Sequence, residues 1–252
     1  MEKISIVCLI YQSIDYANFV YKNILKYTPE LLTGEAEFYF ISNDASEEVL
    51  TYLIENNLPY YINNNPVYTR DELFNMGFAF PEYINKVYRG YNYGIRMSNN
   101  PIVVLINSDN AFSPGWLRCM RNKLTDNTIV SSILIQPHQF FNPRNGSPCV
   151  VFNCGDSLST FNEDRFIHRA SEIKNDSISI GNAFMPLMLY KWQAELVGYY
   201  PEGNLHNGDY NSIKATGDHE FINRLEAKGI SHITANDSIA YHFQEGEKYK
   251  KL

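Results

Sequence analysis

Hydrophobic and polar positions along this chain fall into two periods. Ile102 to Ile106 is an unbroken apolar run, bounded by Asn99-Asn-Pro101 before it and Asn107-Ser-Asp-Asn110 after it. It is too short to span a membrane and lacks helical spacing, so it predicts a strand buried on both faces. Lys3 to Ile10 predicts a second such strand, Glu37 to Ser42 a third, and Tyr60 to Ile62 a short fourth. Between them the period changes. After Asp15, the residues Tyr16, Phe19, Val20, Ile24 and Tyr27 form the stripe of an amphipathic helix, stopped by Thr28-Pro29. Val49, Leu50, Leu53 and Ile54 mark a second helix, for which Asp44 or Ser46 can serve as cap. Alternating strands and helices imply a parallel sheet with right-handed crossovers, so the first half is α/β.

Farther along, Glu82 to Ser98 predicts a helix with Tyr83, Val87, Tyr91 and Ile95 on one face, although Gly90 and Gly94 count against it. Ser113 is placed to cap a helix with Pro114 at its first position. Ile133 to Ile135 and Cys149 to Phe152 predict strands, and the rest of Phe140 to Ser179 is polar, aromatic and irregular. Such a stretch is either a functional loop or a surface insertion. Asp218 opens a further helix with Phe221, Ile222 and Leu225 as its buried stripe and Gly229 as its C-terminal cap. Neither an internal repeat nor a Pro- or Gly/Ser-rich linker interrupts the chain, which favours one domain over residues 1–252.

Composition narrows the class of partner. With 44% hydrophobic and 19% charged residues, the chain has an ordinary globular composition. A formal net charge of −7 argues against a nucleic-acid polymer as partner. A nucleotide remains compatible if a metal ion supplies positive charge. Cys8, Cys119, Cys149 and Cys154 lack metal-type spacing and read as buried thiols. No signal peptide or transmembrane stretch is visible, which points to a cytoplasmic protein whose sequons at Asn145, Asn175 and Asn236 arise by chance. The 19 tyrosines are a weak pointer to stacking on sugars or bases, since Tyr also fills cores.

The candidate chemistry starts from the buried strand that delivers Asn107, Ser108, Asp109 and Asn110 to its carboxyl end, where open α/β sheets bind ligands. Asp218 and Glu220 fall in the first turn of the last helix, where they either complement its dipole or face a cleft. A dinucleotide-binding dehydrogenase or a P-loop kinase would need glycine-rich motifs that are absent. A nucleotidyltransferase would need a glycine-rich, basic loop after the first strand, where Tyr11-Gln-Ser-Ile stands instead.

The order of these motifs resembles that of inverting glycosyltransferases of the GT-A fold, in particular glycosyltransferase family 2. Tyr11-Gln12 stands where members have Tyr-Asn at the end of the first strand, and Asn43-Asp-Ala-Ser46 where they have Asp-Asp-Gly-Ser. Asn92-Tyr-Gly94 matches their Asn-x-Gly, and Asn107-Ser-Asp109 their Asp-x-Asp, followed by Pro114-Gly-Trp-Leu117. Val197-Gly-Tyr-Tyr-Pro-Glu202, Gly217-Asp-His-Glu-Phe-Ile-Asn-Arg224 and a closing His242 complete the series over residues 4–243, with 140–179 unmatched.

That resemblance implies an α/β fold of the GT-A type: a single Rossmann-like αβα sandwich with a mostly parallel central sheet. It divides into a nucleotide-binding half at about 1–110 and an acceptor-binding half at about 111–252. It implies transfer of a sugar from a UDP-, dTDP- or GDP-sugar donor to a glycan, lipid-linked or protein acceptor, in polysaccharide or glycoconjugate synthesis. Tyr11, Asn43, Asp44, Asn92, Asn107, Ser108 and Asp109 are the implied nucleotide-sugar contacts. Mn²⁺ or Mg²⁺ would sit on the diphosphate, held by Asp109, with His242 either completing the coordination or simply packed. For the general base the resemblance favours Asp218 over Glu220, with Arg224 one turn beyond Glu220 to pair with it. Asn43, Asn107 and Gly217 replace acids of the family pattern. The competing reading is therefore a GT-A-fold sugar- or nucleotide-binding module that has lost catalysis. Membrane association with a lipid-linked acceptor would be peripheral.

Overall fold

The computed structural model describes residues 2–80, 82–138, 149–181 and 184–243. Its first half follows the predicted alternation: β1 (Ile4–Ile10), α1 (Ile14–Tyr27), β2 (Ala36–Asn43), α3 (Glu47–Glu55), β3 (Tyr60–Asn63), α5 (Tyr83–Met97) and β4 (Ile102–Asn107), with short helices α2 (Glu30–Thr33) and α4 (Arg70–Asn75) interposed. Beyond β4 come β5 (Asn110–Phe112), α6 (Trp116–Lys123), β6 (Thr128–Gln136), β7 (Cys149–Val151), α7 (Glu163–Ile173), β8 (Ile178–Ile180) and β9 (Leu187–Tyr190). The last part holds α8 (Lys191–Leu196), β10 (Leu205–His206), β11 (Ile213–Ala215), α9 (Gly217–Glu226) and β12 (Ser231–His242).

Among the described residues one sheet runs in the order β3-β2-β1-β4-β9-β6-β12-β5, with β7 beside β6 and β8 beside β12. The β3/β2/β1/β4 block and the β6/β12 pair are parallel, whereas β9 runs antiparallel between β4 and β6. The sheet is thus mostly parallel, as expected, with β9 reversed at its centre and β5 and β8 running antiparallel to β12.

Burial explains the apolar runs. In β1, Ile4, Ile6, Cys8 and Ile10 pack with α1 residues Ala17, Val20 and Ile24 on one face, while Val7 packs with Tyr91 and Ile95 of α5 on the other. In β4, Ile102, Val104 and Ile106 belong to the first core and Val103 and Leu105 to the second. Residues that alternate between two cores must all be apolar, which removes the polar half of the usual strand pattern. The glycines of α5 serve its approach to the sheet. A Cβ on Gly94 would overlap Val7 Cγ1 and lie 3.2 Å from Ile41 Cγ1.

Several expectations are corrected. Ser13, through its Oγ, caps α1, so the helix begins before Asp15. Of the two caps the sequence offers for α3, Ser46 is the one used. Ser113 does not cap α6: that helix starts two residues later, after Gly115 in the left-handed region at φ +79°. Trp116 is fully buried against Phe112, and its indole N–H donates to Thr28 Oγ1 at 3.1 Å. The helix start is set by this anchor, because a buried indole nitrogen needs an acceptor. The stretch 140–179 is not wholly irregular. It contains the eleven-residue α7, whose Phe166 and Ala170 enter the first core, and then β8; residues 139–148 lie outside the described residues. Gly229, at φ +80°, stands just past the end of α9, where the N–H of Ile230 returns to Leu225 O at 3.0 Å.

Candidate functional site

The carboxyl ends of β1, β2 and β4 open onto a cavity of about 360 Å³. Tyr11, Asn43, Asn107, Ser108 and Asp109 line it from the sheet, and Tyr83, Lys86, Val87 and Tyr91 line it from α5. Five of the predicted donor contacts are therefore brought together. Asn92 is not among the lining residues: it is buried, its Nδ2 donates to Tyr200 O at 2.9 Å and its Oδ1 accepts from Tyr200 N at 3.0 Å. Its amide splints α5 to the segment that carries Glu202. Asp44 is also absent from the lining.

Asn43 and Asp44 are held in a local network. Asn43 Oδ1 accepts from the side-chain amides of Asn63 and Asn65 at 2.7 and 2.8 Å, and its Nδ2 donates to Lys86 O at 3.0 Å. Asp44, in the left-handed region at φ +52°, accepts from Asn65 N at 2.8 Å and pairs with Lys86 Nζ at 2.8 Å. Burial works to raise the Asp44 pKa, but the Lys86 ammonium and the Asn65 N–H outweigh it and hold the carboxyl below its ordinary value. Lys86, which the sequence reading passed over, is thus the cation of the cavity wall. Its only sequence signal was its place on the α5 face that carries Tyr83, Val87 and Tyr91.

Asp109 sits in the tight turn between β4 and β5, and its main-chain carbonyl accepts from Phe243 N at 3.2 Å. The antiparallel pairing of β5 with β12 sets His242 opposite Asn110, so that His242 Nε2 lies 3.1 Å from Asp109 Oδ2. Gln136 Nε2 contacts the other ring nitrogen, Nδ1, at 3.1 Å. Burial works against a charged imidazole, yet the Asp109 carboxylate outweighs it and holds the His242 pKa above its ordinary value. The Asn107 Oδ1 accepts from the Tyr91 hydroxyl, and its backbone N–H donates to Asn110 Oδ1 at 3.1 Å.

A carboxylate oxygen and an imidazole nitrogen at this separation suit a divalent ion such as Mn²⁺, which takes both donor types. Among the described residues no group of three or more His, Cys, Asp or Glu side chains is placed to hold a metal. Any ion here would rely on these two side chains and on oxygens of its ligand.

Asp218 and Glu220 stand in the first turn of α9 and do not line the cavity. Two tyrosines connect the regions. Burial pushes up the pKa of the Tyr91 phenol, and the charges of both Asp109 and Asp218 add to the rise, so this ring lies within electrostatic reach of each. Tyr88 is raised by burial first and by Asp218, which its hydroxyl contacts. Glu220 accepts from Arg224 Nε at 2.9 Å, the anticipated pair one turn apart, whereas Asp218 Oδ1 accepts from His219 N at 2.9 Å. Gly217 abuts the Tyr88 ring, and a Cβ there would lie 2.5 Å from Tyr88 Cε2. The ring occupies the space that an acidic side chain would need.

No family model and no curated protein sequence matches this chain. Solved structures do resemble it. GalNAc-T7 with UDP, GalNAc and Mn²⁺ superposes with a TM-score of 0.60 at 9% identity, over 96% of this chain and 44% of that one. S. aureus TarS 1–349 gives 0.56 at 11% identity, over 95% and 60% of the two chains. The mannosyltransferase PcManGT from Pyrobaculum calidifontis, in complex with GDP-Man and Mn²⁺, gives 0.54 at 11% identity, over 99% and 58%. The chain spans about half the length of these structures. Likeness at such identities establishes architecture: this chain has the mixed α/β, mostly parallel sheet of the GT-A glycosyltransferase fold.

Proposed function

We propose that the chain is an inverting glycosyltransferase that takes a UDP-, dTDP- or GDP-sugar as donor and transfers the sugar to an acceptor hydroxyl. The observation that carries this reading is the cavity at the carboxyl ends of β1, β2 and β4, with the Asp109–His242 pair at its edge. Ligands of open α/β sheets bind at strand ends of this kind.

In this reading Tyr11 and Tyr83 flank the nucleoside, and Lys86 offers the donors that an acidic chain otherwise lacks there. Asn107 and Ser108 contact the ribose. Asp109 and His242 would hold Mn²⁺ or Mg²⁺, which when bound neutralises charge on the leaving diphosphate. Asp218 takes the proton from the acceptor hydroxyl on the opposite side of the sugar, with its carboxylate oriented by its own helix start and by Tyr88. Glu220 is the weaker candidate for base because Arg224 occupies one of its oxygens. The family acids missing at 43 and 217 do not favour a decayed site. Asn43 is built into a network of three hydrogen bonds, and Tyr88 fills the space beside Gly217.

Among the described residues no helix is long and apolar enough to cross a membrane. A cytoplasmic enzyme acting on a glycan, protein or lipid-linked acceptor, the last by peripheral association with a membrane, fits this reading. The test is thermal unfolding with UDP, GDP, dTDP and CDP, each with and without Mn²⁺, for the wild type and Asp109→Ala. A ligand at a hundred times its Kd adds about 2.7 kcal/mol of stability. One nucleotide should raise Tm in a Mn²⁺-dependent way that Asp109→Ala abolishes. Failure of every nucleotide to shift the wild type would remove the donor site from this cavity.

A further inference from the structure

The two ring nitrogens of His242 belong to a longer chain of hydrogen bonds. Cys149 Sγ donates to Gln136 Oε1 at 3.1 Å, Gln136 Nε2 meets His242 Nδ1 at 3.1 Å, and His242 Nε2 meets Asp109 Oδ2 at 3.1 Å. Four elements supply it: the end of β6, the start of β7, the end of β12 and the β4–β5 turn. The parallel register that sets Tyr241 beside Ile135 and Leu134 beside Cys149 fixes the spacing.

Donor and acceptor counting gives this chain a direction. A carboxamide accepts only at its oxygen and donates only at its nitrogen, and a neutral imidazole has one nitrogen of each kind. With the Cys149 thiol on Oε1, the amide turns its N–H groups toward Nδ1, which must then be the unprotonated nitrogen. The ring proton is left on Nε2, where it is donated to Asp109. A nitrogen that carries this proton has no lone pair for a metal ion. For Nε2 to bind an ion, the proton must reside on Nδ1, and the amide must turn so that Oε1 accepts it, giving up the thiol.

We infer that Gln136 is a positioning residue for the ion site, and that Cys149 holds it in the orientation that keeps His242 closed to metal. This rests on the assignment of Asp109 and His242 as ion ligands made above. Gln136 itself touches neither donor nor acceptor. It acts by selecting which imidazole nitrogen is available, as the outer partners of metal-bound histidines do.

The experiment uses the full chain, first without metal. Nitrogen-15 spectra of histidine-labelled protein in mildly alkaline buffer separate a protonated from an unprotonated ring nitrogen. The wild type should show His242 protonated at Nε2, and Cys149→Ala should move the proton toward Nδ1. Mn²⁺ titrations followed by electron paramagnetic resonance then compare the variants. Gln136→Leu, which loses the Nδ1 contact of both orientations, should bind Mn²⁺ about ten- to a hundredfold more weakly than Gln136→Glu. Gln136→Glu, which can only accept from Nδ1–H, should bind Mn²⁺ more tightly than the wild type, and Cys149→Ala should tighten binding about two- to tenfold, the worth of one hydrogen bond. Cys149 is only partly buried, so its variant keeps the test open if the Gln136 variants fold poorly.

A wild-type ring protonated at Nδ1 would overturn the inference. So would equal Mn²⁺ affinities for Gln136→Leu and Gln136→Glu, since a merely structural glutamine would be missed alike in both. Mn²⁺ binding that survives Asp109→Ala would instead remove the ion site from this place, and the gating of it falls with that site.

Discussion

Gly217→Ala tests how tightly the tyrosine layer positions Asp218. The new Cβ would lie 2.5, 2.7 and 2.8 Å from three carbons of the Tyr88 ring. Carbon atoms sit comfortably at about 3.5–4.0 Å, so the overlap is roughly 1 Å. The ring has little room to retreat: it stacks on Tyr200 at 5.6 Å between centroids, and Tyr200 stacks on Phe221 at 3.9 Å. Overpacking of this kind costs about 1–3 kcal/mol. Against it stands the gain from replacing glycine, about 0.4–1 kcal/mol through the unfolded chain. Overpacking prevails, leaving a net loss of about 1–2 kcal/mol. At roughly 2–4 °C per kcal/mol for a chain of this size, Tm should fall by about 2–8 °C. Relief of the overlap also moves the start of α9, and a misplacement of about 1 Å at a catalytic group can cost about a hundredfold in rate. Urea unfolding and donor-saturated turnover would be measured for Gly217→Ala, Tyr88→Leu and the double variant. The double variant should lose less stability than the two single losses added together, because the smaller residue vacates the contested space. An alanine variant as stable as the wild type, or strict additivity in the cycle, would refute the argument.

Other outcomes follow from the same geometry. Asp218→Asn should lower kcat by roughly a hundred- to ten-thousandfold while donor affinity is kept, and Glu220→Gln, which gives up its pairing with Arg224, should lower it less than tenfold. Similar losses in both would leave the base unassigned to Asp218. Asn92→Ala strips the buried N–H and carbonyl of Tyr200 of their partners and should cost about 2–4 kcal/mol in urea unfolding, with nucleotide affinity unchanged among the molecules that fold. Asp44 titrates below its unfolded value near 3.9, so its stabilisation is complete above about pH 4 and is lost as pH falls through the lower folded pKa. The Tm deficit of Asp44→Asn relative to the wild type should therefore shrink in acid, and a deficit that does not change with pH would exclude the Lys86 pairing as its source.

The amino-acid sequence by itself determined the elements whose residues meet one dominant environment. Ile102 to Ile106 had to be a doubly buried strand because every position is apolar. The stripe through Val20 and Ile24 had to be a helix facing one core. Asn107 to Asn110 had to stand at the end of the buried strand, whereas Tyr11 and Asn43 were singled out only by the resemblance of their motifs to a glycosyltransferase family. The tertiary structure decided what depends on partners distant in the chain. β9 is only four residues, Leu187–Tyr190, and nothing in so short an apolar stretch specifies that it lies antiparallel between β4 and β6. Asn92 occupies a motif position yet does not line the cavity, because folding sets its amide against Tyr200, more than a hundred residues later. Lys86 reaches Asp44, and Gln136 reaches His242, only because a helix face and two parallel strand ends converge there. Hydrophobic periodicity is a local property and sets which face of an element is buried. Which polar groups then meet is fixed by strand order and register, which no local pattern encodes.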